Sequence, residues 1–319
     1  MRAMRLLGTA VLAGVVAIAG CGEGREYISV GTAPVGGAFY TVGGAITEVI
    51  NERQDEHNWR VTAESTGGSM ENIRLLDQNQ IQAALSNASI TFFAVRGTEG
   101  WDKAYPMRSV MTLFPNVAQF ITLQSSGIRR VQDLKGKRVY VGPEGAGFEY
   151  FVKPILEAHG LSFDDITPVY ASQQTAVDLL ADGSIAAAML GGGVPTQSIT
   201  TAATTLDIYF IPYDEDAKDK LIAEYSFFER VTIPAGKYPK QDQDYHGLNV
   251  GSAHLIVSES ADEQFVYDLT RLVFANREAI KQRVAAAGAI NEKNAIKDTG
   301  TPFHPGAIRY YREIGIWPE

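Results

Sequence analysis

Four short stretches of the chain combine glycine with small polar residues in one arrangement. They are VGTAPVGGAFY (30–40), AESTGGSMEN (63–72), VGPEGAGFEY (141–150) and MLGGGVPTQS (189–198). Each is fed by a β-like run and opens onto a helical stretch. A helix start leaves main-chain N–H groups unpaired and carries the positive end of the helix dipole, so each turn could hold an anion or another acceptor. In open α/β sheets such turns lie beyond the carboxyl ends of the strands, where ligands bind. Taken singly, each is equally readable as a tight turn. Two in each of two domains would face one interdomain cleft.

Other chemistries are excluded by what these stretches lack. The first contains neither G-x-G-x-x-G nor G-x-x-x-x-G-K-[ST], and Phe39 and Tyr40 stand where a pyrophosphate needs bare backbone. The third has its glycines in the wrong order for a phosphate loop and carries Glu144 and Glu149, which repel phosphate. No G-x-S-x-G elbow is present, and the five histidines, His57, His159, His246, His254 and His304, show no metal-ligand spacing. No paired-acid mechanism can be picked out, because the carboxylates are spread over polar helix faces. Ser69 reads as a helix cap, with Glu71 and Asn72 in the first turn, rather than as a nucleophile. His304, in PFHPG, reads as a turn or capping residue. The pattern is that of a binder, not an enzyme, with no cofactor or metal.

The elements that must position these turns alternate along the chain. Helices are expected around 39–54, 69–79, 148–159 and 173–182, each preceded by a β-like run. MRSVMTLFPNVAQFITLQ reads as two strands separated by FPN, and LNVGSAHLIVSES as one or two strands. The spacing of Phe265, Leu269, Leu272, Val273 and Ile280 predicts one long amphipathic helix capped by Ser260 or Asp262. HPGAIRYYREIGI predicts a terminal helix with Pro305 in its first turn. The alternation argues for an α/β architecture with mainly parallel strands. PAGKYPKQDQDYHG is a polar loop at which the chain could change domain. Phe92 and Phe93 read as core; Trp101 and Tyr105 fit either a core or a loop at the cleft mouth. Arg74, Arg129, Arg130 and Arg138 read as solvated charges.

The 319 residues are 45% hydrophobic with a formal charge of −9, which suits two domains and disfavours nucleic acid or an anionic lipid surface as partner. Arg2 and Arg5 precede an apolar run, Leu6 to Ala19, of signal-peptide size and too short to span a bilayer. The run ends IAGC at Cys21, the only cysteine. This resembles a bacterial lipobox, in which residues 1–20 are removed and the cysteine is acylated; ordinary secretory cleavage near Ala19–Gly20 is the alternative. Several acyl chains would hold the protein stably on a membrane, where one alone binds marginally.

VGTAPVGGAFYTVGGAI, TGGSMENIRLLDQNQIQAALSNASI and GIRRVQDLKGKRVYVGPEGAGFE together resemble the TAXI class of substrate-binding proteins, which serve tripartite ATP-independent periplasmic (TRAP) transporters. GGGVPTQSI and FHPGAIRYYRE match as well, so the resemblance runs from Tyr27 to Glu313; DLKGKRV by itself is shared by many bilobed receptors. The resemblance implies a bilobed periplasmic-binding-protein-like (type II) α/β fold that closes on a small organic acid, an acidic amino acid or 2-oxo or dicarboxylate-like molecule. It also implies delivery of that acid to TRAP permease subunits. The carried-over ligand residues are Gly37 and Tyr40, Ser69 and Asn72, Asn87 and Ser89, Gly145, Ala146, Gly147 and Phe148, and Pro195 and Thr196. The family's third loop commonly reads Gly-Ser-Gly-Thr-Glu, whereas here Ala146 and Phe148 replace both hydroxyl residues. Each lost hydrogen bond to a charged group costs about 1.5–3 kcal/mol unless replaced, which points to an acid bulkier or more apolar than glutamate.

The expected organisation is a signal peptide over 1–20, an anchor linker over 21–26, a first lobe of 27–113 with 232–319, and a second lobe of 116–231. The mature protein is expected to be a monomer on the periplasmic side of a bacterial membrane. A sensor of the same fold reporting to a membrane kinase is the alternative.

Overall fold

A computed structural model describes residues 25–35 and 37–318; the proposed signal peptide and Cys21 lie outside them. The chain begins with β1 (Glu26–Gly31), α1 (Ala38–Asn51), β2 (Trp59–Glu64), α2 (Ser69–Asp77), β3 (Ala83–Asn87), α3 (Ala88–Arg96) and β4 (Met107–Phe114). It crosses at Pro115–Asn116 into β5 (Val117–Leu123), β6 (Arg138–Tyr140), α4 (Glu149–Ala158), β7 (Thr167–Val169), α5 (Gln173–Ala181) and β8 (Ala187–Gly192). The same lobe continues through α6 (Gln197–Thr205), β9 (Ile208–Ile211), α7 (Glu215–Glu224), β10 (Phe228–Ile233) and β11 (Tyr245–Val250). The chain returns at Gly251–Ser252 into β12 (Ala253–Ser258), α8 (Glu263–Ala275), α9 (Arg277–Arg283), α10 (Glu292–Ala295) and α11 (Pro305–Glu313).

Two sheets result, ordered β2-β1-β3-β12-β4 and β10-β11-β5-β8-β6-β7, with β9 also on β5. β1 is parallel to β2 and β3, and β6 is parallel to β7 and β8, so the glycine-rich turns leave the same ends of their sheets. This is the expected bilobed α/β architecture, but the return crossing differs. Residue 232 lies inside β10, and β10 pairs antiparallel with β11, which pairs with β5. The polar loop at 234–244 is therefore a hairpin within the second lobe, and that lobe runs to Val250. The two crossings are stitched together. The Asn116 N–H donates to Asn249 Oδ1 at 3.0 Å, and Asn249 Nδ2 donates to Ser252 Oγ at 2.8 Å.

The long helix expected after Asp262 is two helices. Asp262 caps α8 by accepting the Phe265 N–H at 2.8 Å. At its other end, Asn276 donates its side-chain amide to Leu272 O at 2.9 Å and accepts from Arg53 Nε at 2.9 Å. Its side chain occupies a terminal carbonyl of α8, and α9 starts anew. His304 caps α11, its Nδ1 accepting the Gly306 N–H at 3.2 Å, with Pro305 at the first helical position as expected.

The first sheet is covered on one face by α1, α8 and α11 around Ile46, Val49, Leu255 and Tyr311. The core on its other face is continuous with that of the second lobe, running from Ile73 and Ile90 to Phe120 and Leu190.

Candidate functional site

Contacts across the lobes show which turns meet. A methyl group built on Gly147 would fall 2.8 Å from Ile90 Cδ1 in α3 and 3.2 Å from Met70 Cγ in α2. One built on Gly192, at the end of β8, would lie 4.0 Å from Ala38 Cβ at the start of α1. The third and fourth glycine-rich turns, both in the second lobe, thus abut the starts of α1, α2 and α3 in the first. The expected convergence of four turns is present, and the Asn87 turn into α3 makes a fifth.

Gly147 itself has φ +86°, in the left-handed region that side chains disfavour. Gly147→Ala is expected to lower stability by about 1–2 kcal/mol from backbone strain, measured as a shift in the urea midpoint. It should also weaken solute binding, because the added methyl pushes against Ile90. Unaltered stability together with unaltered affinity would mean that the lobes do not meet there.

Within the first lobe the expected residues form a hydrogen-bonded chain. Asn87 caps α3, its Oδ1 accepting from Ser89 N at 2.8 Å and Ser89 Oγ at 2.6 Å. Ser69 accepts the Asn87 N–H at 3.0 Å. Ser69 is the first helical residue of α2 rather than its cap, which is Gly68 at φ 106°. Asn72 is wholly buried and donates to Thr32 O and Leu85 O, both at 2.8 Å. With both amide hydrogens so engaged, it ties α2 to the ends of β1 and β3, while its buried Oδ1 has no partner. Tyr40 is half-buried in the first turn of α1, next to the Gly37 cap.

In the second lobe, Gly145 is exposed and Ala146 half-buried. Phe148 folds back: its ring lies against Gly142 and 5.0 Å from the Phe151 ring. The aromatic gained in the third loop is thereby half-buried and packed on its own lobe. Thr196 is buried and caps the fourth turn, its N–H donating to Tyr238 Oη at 3.0 Å, while Pro195 is exposed after a cis peptide bond.

Two supporting residues escaped the sequence reading. Tyr238 sits in the polar hairpin loop, where nothing local marks it. Gln173 exchanges two hydrogen bonds with the Gly191 backbone, at 2.9 and 3.2 Å, and accepts from Ser198 Oγ at 3.0 Å, so it fixes the end of β8 against α6. Its position directly after Ser172, the cap of α5, was the available signal.

The lobes are further joined by an aromatic wall. Phe93 of α3 lies 5.6 Å from Tyr150 of α4 and 5.9 Å from Phe227, and Phe92 lies 5.2 Å from Phe227. Trp101 and Tyr105 are buried beside it, with the Trp101 ring stacked 6.0 Å from Tyr150. A Lys297–Glu229 ion pair bridges the lobes near the crossings. Two cavities flank this arrangement, the smaller lined in part by Gly193 and Val194 of the fourth turn. One of about 510 Å³ is lined by His159 and the Asp214–Ala217 turn, and one of about 230 Å³ sits at the first crossing beside Phe114, Val194 and Ile233. Among the described residues no cluster of potential metal ligands occurs, and no helix is long and apolar enough to cross a membrane.

A sequence model of the NMT1-like family matches residues 30–315. Among solved structures, the alkanesulfonate-binding protein SsuA from Xanthomonas axonopodis pv. citri, bound to MOPS, is similar with a TM-score of 0.51 at 16% identity, over 91% of each chain. A protein from Bordetella bronchiseptica RB50 gives 0.56 at 14% identity, over 90% of this chain and 89% of that one. XAC2383 from Xanthomonas citri, bound to ATP, gives 0.54 at 10% identity, over 91% and 96%. At these identities the likeness is one of fold: two α/β lobes of the periplasmic-binding-protein type.

Proposed function

The chain belongs to the NMT1-like family, and on that premise we propose that it is an extracytoplasmic solute receptor that holds a small polar solute between its lobes and passes it to a membrane transporter. One observation carries this reading: turns from both lobes, each opening a helix, meet across the lobe boundary at Gly147 and Gly192. Unpaired N–H groups from two rigid bodies there can grip one solute, and closure is favoured by contacts that exist only when both lobes touch it. The solute-binding likeness in fold to SsuA supports it. The glycine-rich motifs extend the proposal to TRAP permease subunits as the receiving partner, and IAGC to a lipid anchor at Cys21. Gly37, Tyr40, Ser69, Asn87, Ser89 and the 145–147 turn are the proposed contacts, with Thr196 closing the fourth side.

The test is identification by mass spectrometry of the solute carried through purification, followed by unfolding with that solute added. At a hundredfold excess over Kd, bound solute adds about 2.7 kcal/mol to stability. Tyr40→Ala is expected to raise Kd roughly tenfold, about 1.4 kcal/mol. If no small solute copurifies and none from a panel of organic acids, amino acids and amines alters unfolding, the receptor reading is wrong.

A further inference from the structure

The turns that meet between the lobes contain no lysine or arginine. Residues 30–45, 64–72, 86–92, 142–152, 169–176 and 191–205 are free of both, yet they carry Glu64, Glu71, Glu144 and Glu149. The carboxylates already serve the helix starts. Glu71 accepts the Gly67 N–H at 2.6 Å ahead of α2, and Glu149 stands in the first turn of α4. Each supplies the negative charge its helix dipole attracts. The cations closest in sequence are engaged elsewhere, Arg74 over the Trp101 ring at 5.5 Å and Lys153 over Phe163 at 5.3 Å.

A dianion enclosed by these turns would therefore meet their carboxylates with no lysine or arginine of the turns themselves to offset them. That repulsion strengthens as closure expels water. Two further features point to what fits instead. Asn87 Nδ2 is buried and has no partner, although Asn87 Oδ1 is fully used by Ser89, so the turn offers one orphan donor to an acceptor on the solute. In the second lobe, Tyr170 follows β7 directly, is 39% exposed and lies close to Glu149 and Glu144. An accessible aromatic ring beside carboxylates suits an ammonium group.

Resting on the receptor reading, we infer that the solute carries a protonated amine and no net negative charge, with its amine toward Glu144, Glu149 and Tyr170 and an acceptor atom toward Asn87. This replaces the organic acid expected from resemblance with an amine-bearing solute of no net negative charge.

Calorimetry on the full mature chain at pH 7.5 would compare glutamine, asparagine and ethanolamine with glutamate, 2-oxoglutarate and succinate. At least one amine of the first group should bind a hundredfold or more tighter than every anion of the second. Glu144→Gln combined with Glu149→Gln should weaken that amine tenfold or more and leave the melting curve of the unliganded protein cooperative. Tightest binding by any anion of the second group overturns the inference while leaving the receptor reading intact. Binding of the amine that is indifferent to the double substitution overturns the placement beside these carboxylates. Binding of neither group, with no copurifying solute, removes the receptor reading and the inference with it.

Discussion

Lowering the pH from 7.5 to 4 is expected to remove about 3 kcal/mol of folding stability through His254 alone. The residue lies on β12, wholly buried, opposite Ser86 on β3 and Thr112 on β4. Its Nε2 is 2.9 Å from Thr91 Oγ1 and its Nδ1 has no partner, so a proton added there would be a buried charge without a counter-ion. Burial pushes its pKa from 6.5 down to about 3. A depressed histidine is neutral in the folded chain while the unfolded chain takes up the proton. The stabilisation is thus complete above pH 6.5 and declines as pH falls, by about 1.4 kcal/mol per unit, until the folded pKa is reached. His159 adds in the same direction, since burial lowers its pKa and its Nε2 accepts the Asp214 N–H at 3.0 Å, a bond that protonation abolishes. Urea unfolding at pH 7.5, 6, 5 and 4 should show a markedly shallower decline for His254→Gln than for the native chain. Parallel declines would assign the acid sensitivity to other groups.

Phe93→Ala is expected to cost about 3–5 kcal/mol, the range for emptying a packed aromatic site. The ring is 5% exposed and meets Phe92, Tyr150, Tyr225 and Phe227, with centroids 5.3, 5.6, 5.9 and 5.9 Å away. Three of those partners belong to the second lobe, so the loss is not confined to the lobe that holds the mutation. A small polar boundary between domains allows motion by default, whereas an apolar one couples the domains. The native chain should unfold in one transition, and the variant should separate into two, followed by tryptophan fluorescence and circular dichroism together. A loss below about 1 kcal/mol, typical of surface substitutions, would show that the ring is not part of a packed seam.

Much of the local structure was legible from residue patterns. The strand-to-helix alternation, the four glycine-rich turns, the FPN break between β4 and β5 and the caps at Asp262 and His304 all rest on interactions within a few positions of each other. Ser69 was misplaced by a single position, because Gly68 and a serine are both acceptable caps and only the backbone angle separates them. The break at Asn276 escaped for a different reason. The apolar spacing continues to Ile280, and Arg53, which holds the asparagine, comes from a distant part of the chain.

The site shows the same division. Residue types alone identified Asn72 as a polar group in a helix's first turn, which serves a ligand contact and a strut equally well. The carbonyls of Thr32 and Leu85, brought in by β1 and β3, make its amide hydrogens a strut and leave its Oδ1 without a partner. Phe148 could face out or in until Gly142 provided the flat surface it lies on. The polar segment after β10 has the composition of a linker and of a hairpin loop alike, and strand pairing made it a hairpin.

By itself the sequence determined the α/β class, the glycine-rich helix starts and the absence of lysine and arginine from those turns. These follow from residue identity and from periodicities of two and of three to four residues. The tertiary structure decided which turns face each other, where the chain returns between lobes and which polar atoms stay free. Those are settled by partners far apart in the chain, and no local pattern records them.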